Sequence, residues 1–162
     1  MIKIGDIYTF QVKDYNEKLG FIITDLYKSK EGEFVGISLL DYDKDEYPNL
    51  RDFENGLIFG IKLDTFESKR SHPWVVETIM TLEENLISDS IKKVGNIELN
   101  KDEIEVGSYE YSDEYLDEYL ENKFFNEIEK RRIKTEEFSK YTEIGYGVGH
   151  LFELKKIIKN KG

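Results

Sequence analysis

Carboxylates interleaved with phenols are the residues of this chain best placed to do chemistry, and the chemistry they offer is the binding of positive charge. Between Glu98 and Glu121 ten acids face a single base, Lys101, a net of −9. Within that run Asp113, Glu114, Asp117, Glu118 and Glu121 share one sector beside the apolar spine of a predicted helix, since each residue turns the helix by about 100°, and Tyr115 and Tyr119 flank the other side of that spine. A second acidic stretch, Asp41, Asp43, Asp45 and Glu46, alternates with Tyr42 and Lys44 before Tyr47-Pro48-Asn49 ends any strand. Charge runs of this kind are often solvated faces. Tyrosine among the acids shifts the reading toward a partner surface, because Tyr is enriched at interface centres.

The Asp41-x-Asp43-x-Asp45 spacing is that of the start of a calcium-binding loop, but the rest of the loop is wrong. Glu46 stands where a turn-forming Gly is required, Pro48 interrupts, and the twelfth position is Asp52 instead of a bidentate Glu. No metal site is expected. Catalytic groups are equally sparse. The chain has no Cys, and its two histidines, His72 and His150, show no ligand spacing. There is no Gly-x-Ser-x-Gly elbow, and Gly145-Tyr146-Gly147-Val148-Gly149 lacks the strand and the Lys-Ser/Thr pair of a phosphate loop. Neither a catalytic residue nor a cofactor is expected.

Global composition bounds the partners. The 162 residues suit a single domain, and 10 Phe, 11 Tyr and one Trp supply the apolar area for a core. A net charge of −11 repels phosphate backbones, so direct nucleic-acid binding is not expected. The charge is uneven: residues 1–122 carry 13 Lys and Arg against 28 Asp and Glu, a net of −15, whereas 123–162 carry 10 against 6, a net of +4. No apolar run is long enough for a membrane span, the first ten residues lack a signal-peptide pattern, and the absence of Cys suits a reducing cytoplasm.

Periodicity places these residues on elements. Strands are expected over Asp6–Val12, Leu19–Tyr27 and Glu33–Leu40, each rich in β-branched and aromatic residues and separated by turn chemistry. In the first, Ile7, Thr9 and Gln11 oppose Tyr8, Phe10 and Val12, the alternation of a half-buried strand. Leu57–Leu63 reads as a central strand and Pro73–Ile79 as another, with Trp74 in the core; Leu82–Ser88 suggests a helical turn. Asn96–Leu99 and Ile104–Val106 look like short edge strands. Ser112 is expected to cap a long helix whose spine is Leu116, Leu120, Phe124 and Ile128, and Leu151–Ile158 fits either a terminal helix or a last strand. The expected fold is α+β, one domain over 1–162. A curled, barrel-like, mainly antiparallel sheet over 1–108 would carry a helical part over 109–162 with one long acidic helix and a short C-terminal helical element.

Gly5-Asp6-Ile7-Tyr8-Thr9-Phe10, then Gly20-Phe21-Ile22, Leu57-Ile58-Phe59 and Pro73-Trp74-Val75-Val76, resemble in pattern and order the immunity protein 26 family of bacterial polymorphic toxin systems, over Ile2 to about Val94. That resemblance implies a small cytoplasmic, non-catalytic protein that binds and blocks a cognate toxin. Charge adds that the toxin is basic, a nuclease being one candidate, since carboxylates can imitate a phosphate backbone. Two other readings stay open: a β-barrel adaptor that binds an endogenous protein or peptide, and a carboxylate-based hydrolase.

Overall fold

The computed structural model describes residues 1–11, 18–30, 32–62, 74–86, 91–112 and 151–159. Strands dominate it: β1 (Asp6–Gln11), β2 (Lys18–Ser29), β3 (Gly32–Lys44), β4 (Leu57–Lys62), β5 (Trp74–Leu82), β6 (Ile91–Asn96), β7 (Ile104–Ser112) and β8 (Leu151–Glu153). They form one eight-stranded sheet in the order β6-β1-β2-β3-β4-β5-β7, with β8 against β4. All pairings are antiparallel except β5 with β7.

This corrects the α+β expectation. Among the described residues the sheet does not close into a barrel, and the α-helix is a single short one, α1 (Leu50–Glu54). Ser112, expected to cap a long acidic helix, is the last residue of β7, paired with Thr81 of β5. Parallel pairing to β5 draws Ile104–Ser112 into extended backbone, so local capping preference yields to a ladder of hydrogen bonds. The expected spine Leu116, Leu120, Phe124 and Ile128 lies outside the described residues.

β1 was expected to bury one side, yet both sides of the central sheet are apolar. Ile7, Ile22, Leu40, Ile58 and Val76 line one face, under Phe53 of α1 and the C-terminal Phe152, Leu154 and Ile157. Phe10, Leu19, Phe21, Ile23, Val35, Ile37, Leu39 and Phe59 line the other, with Leu86 and Ile2 against them. Near-continuous apolar runs such as Phe21-Ile22-Ile23 follow from this two-sided burial. Asn49 starts α1 with a reciprocal cap, its side chain taking the Asp52 amide while Asp52 takes the Asn49 amide.

β3 forks the sheet. Its first half pairs with β5 from Phe34↔Leu82 to Ile37↔Ile79, and beyond that β4 enters between them, with Leu40 opposite Ile58. Ser38 and Thr78, the next residues at the fork, are buried together with Thr24. Their hydroxyls bond one another, Thr24 to Ser38 at 2.8 Å and Ser38 to Thr78 at 3.3 Å. Ser38→Ala is expected to cost about 1–3 kcal/mol, because it removes the short partner of each remaining buried hydroxyl. Urea titration checks this; an unchanged midpoint would mean that the trio contributes nothing to the fork.

Candidate functional site

Of the expected binding residues, Asp41, Asp43, Asp45 and Glu46 lie among the described residues and are brought together at the end of β3. Asp113, Glu114, Tyr115, Asp117, Glu118, Tyr119 and Glu121 lie outside them. The acidic stretch is not wholly a loop: Asp41 and Asp43 belong to β3, and only Asp45 and Glu46 stand in the bend that follows. Extended backbone spaces alternate residues by about 6–7 Å in a line, which is the wrong shape for a cation-wrapping loop. No group of three or more ligands that could hold a metal occurs among the described residues.

The chain's own lysines shape this corner. Register sets Lys18 of β2 opposite Lys44 of β3, two like charges across a ladder. Aromatic rings and a carbonyl relieve the conflict. Lys44 sits 5.7 Å from the centre of the Tyr42 ring, while Lys18 lies 5.0 Å from that of Tyr47 and donates to the Asp45 carbonyl at 2.7 Å. Lys92 of β6 adds a second ammonium 4.5 Å from the Tyr47 ring centre. Tyr42 is buried against Phe53, its hydroxyl donates to the Glu46 carbonyl, and its phenol is pushed up by burial, then by Asp52 and Glu46. Asp45, Glu46 and Tyr47 are exposed, and the two carboxylates enter no ion pair among the described residues.

Nothing matches this chain among family models, curated proteins or solved structures. No described helix is long and apolar enough to cross a membrane.

Three further features were not foreseen from sequence. The buried Asp6 carboxylate accepts from the Lys3 amide at 2.9 Å and the Asn96 side chain at 2.8 Å, and pairs with Lys93 at 3.3 Å. The Gly5-Asp6 motif thus ties the N-terminal turn to β6. A cleft of about 350 Å³ lies between Ile4, Leu99 and Asn100, rimmed by the Glu98–Lys159 ion pair at 3.2 Å. At the far end of β3, Glu33 and Glu83 oppose each other one step past the Phe34↔Leu82 pair. Their carboxyls share a hydrogen bond, which lowers Glu33, with help from Lys28, and raises Glu83, with help from burial and the Glu33 charge.

That pair predicts a pH dependence. Glu83, raised on folding, stabilises the fold below the ordinary glutamate range, and this is lost as pH rises through its folded value. Glu33, lowered on folding, contributes above the ordinary range and loses that as pH falls through its folded value. The pair therefore contributes most between the two folded values. Glu83→Gln keeps a donor on Glu33 at every pH, so thermal melts should show a smaller loss of stability toward neutral pH than in the parent; parallel melting curves would contradict the shared bond.

Proposed function

We propose that this chain is a cytoplasmic, non-catalytic immunity-type protein that blocks a basic toxin by covering it. The observation that carries the reading is the corner at the end of β3, where the exposed Asp45 and Glu46 carboxylates enter no ion pair among the described residues and stand beside an exposed Tyr47. The net charge of −11 extends the same attraction over the surface and speeds encounter with a positive partner. The motif order from Gly5-Asp6 to Trp74-Val75-Val76 supports the class. The acidic residues from Asp113 to Glu121 belong to the same proposal on charge alone.

The test is protection. Cells that express the cognate toxin should grow only when this chain is co-expressed. Asp45→Lys with Glu46→Lys should slow association with the purified toxin by about tenfold at low salt and by less at high salt. Protection at full strength with no change in association would remove the corner from the interface.

An adaptor that pairs its sheet edge with a peptide has less behind it. The described edge strand β6 exposes Lys92 and Lys93, and edge lysines discourage an added strand. A carboxylate hydrolase also has less support: the raised carboxyl, Glu83, lies beside Glu33 at the start of β3 and not in the Ile4–Leu99 cleft.

A further inference from the structure

We infer that the cleft between the N-terminal turn, the β6–β7 connection and the C-terminal segment binds a small monocarboxylate that carries an apolar chain. Its volume of about 350 Å³ is at the small end of the range for ligand pockets, about 300–1,000 Å³. Half-buried Ile4 and buried Leu99 give it an apolar lining. Asn100 and Lys101 line the same space and bring hydrogen-bond donors to it.

The walls are bonded to one another through backbone, so the cleft exists before a ligand arrives. The Ile97 amide donates to the Gly5 carbonyl at 2.9 Å, that of Asn100 to the Ile157 carbonyl at 2.7 Å, and that of Lys159 to the Glu98 carbonyl at 2.8 Å. Leu99 and Ile158 form an antiparallel bridge alongside. Three stretches far apart in the chain hold the lining in place, and little order is left to impose on binding.

Two donors remain unused. The Glu98 and Lys159 side chains pair at 3.2 Å and offset each other, whereas the Lys101 ammonium enters no ion pair or hydrogen bond among the described residues. The Asn100 side-chain oxygen takes the Asp102 amide at 3.2 Å. That bond identifies the acceptor end of the Asn100 side chain and leaves its NH2 group without a partner among the described residues. An ammonium and an amide NH2 beside apolar side chains select an anion with a hydrocarbon tail. Glu98 and Asp102 on the same lining disfavour a dianion such as phosphate, and no lining residue is aromatic, so nothing there stacks a nucleobase. A single carboxylate has an oxygen for each donor. A free short-chain acid and the C-terminus of a peptide ending in an aliphatic residue present this same group.

Titration of the full chain with sodium hexanoate at neutral pH, followed in amide proton–nitrogen NMR spectra, tests the proposal. Saturable shifts are expected at the Asn100 side chain and at the Leu99 and Lys101 amides, and hexylamine should leave them unmoved. Each methylene removed from the acid should weaken binding about fourfold, so propanoate should bind far more weakly than hexanoate. Lys101→Gln should raise the Kd for hexanoate about tenfold, and Lys101→Arg should keep most of the affinity. Melting of the free chain should not change in either, because Lys101 is exposed. Lys156→Gln removes the same charge from an exposed residue outside the cleft and should leave the Kd at the parent value. Acetyl-Gly-Leu separates the sources: if it binds more tightly than hexanoate with its carboxylate free, the cleft takes a chain terminus, and if more weakly, a free acid. Its amidated form should not bind. Absence of saturable shifts, equal shifts with hexylamine or the amidated peptide, or affinity indifferent to chain length overturns the proposal. So does a Kd that Lys101→Gln leaves unchanged or raises no more than Lys156→Gln. The toxin-blocking reading does not pass through this cleft, and the Lys101→Gln chain should still protect cells, so each proposal can fail without the other.

Discussion

Gly5→Ala is expected to remove more than about 4 kcal/mol of stability, a loss that falls in the exceptional tail for single substitutions and takes most of a small domain's total. Gly5 sits at φ +92°, where a side chain strains the backbone. Space is the larger problem: an added Cβ would lie 2.2 Å from the Ile97 carbonyl oxygen. That oxygen cannot withdraw cheaply, because Gly5 is bonded on both sides, its amide to the Ile23 carbonyl at 2.8 Å and its carbonyl to the Ile97 amide at 2.9 Å. The chain at this point is a wedge between β2 and the end of β6. Gly95→Ala is the matched control, since its Cβ would meet only the flexible tip of Leu50, at 3.1 Å. Denaturant titrations of the two should differ by several kcal/mol; similar midpoints would mean that the close approach at Gly5 relaxes at little cost.

Phe59→Ala should cost about 3–5 kcal/mol, the range for emptying a packed aromatic site. Phe59 is fully buried in β4, the strand that enters the fork between β3 and β5. Its ring belongs to the cluster of Phe10, Phe21, Ile37 and Leu39, whose members come from three other strands. Flanking backbones held by ladders on both sides leave little room for collapse into the void. Leu26→Ala, at a residue 43% exposed on β2, is expected to stay within about 0.5 kcal/mol. Equilibrium urea unfolding compares the two, and a small loss at Phe59 would mean that this face of the sheet is not a packed core.

Strand identity was legible wherever hydrophobic pattern and turn residues agreed. Asp6–Gln11, the long β2, Leu57–Lys62 and the strand beginning at Trp74 all sit where alternation or apolar runs placed them. The turn at Glu83–Leu86 was legible too, and Leu151–Lys156 turned out to use both open readings, a three-residue strand followed by a single 3-10 turn. β6 was missed because Ile91-Lys92-Lys93-Val94 is too short and too polar to show a period. The capping pair Asn49 and Asp52 is a local signal for α1 that the sequence carries, since both reciprocal bonds lie within four residues.

The candidate site was legible as composition and not as arrangement. Asp45, Glu46 and Tyr47 could be singled out by type, but no local rule shows that Lys18 and Lys92, which lie 29 residues before and 45 residues after Tyr47, arrive at its ring. Their meeting depends on β1, whose ladders set Gln11 against Lys18 and Thr9 against Lys92. Side-chain type and local period are properties of neighbours in the chain, so the sequence by itself determined the acidic balance, the strand-forming segments and the absence of thiol chemistry. Which strands pair, where β4 splits β3 from β5, and which cations stand beside which phenol were decided by tertiary structure. These are contacts between distant segments, chosen by the joint burial of two sheet faces, and a ladder once formed outweighs the local preference of any single residue such as Ser112.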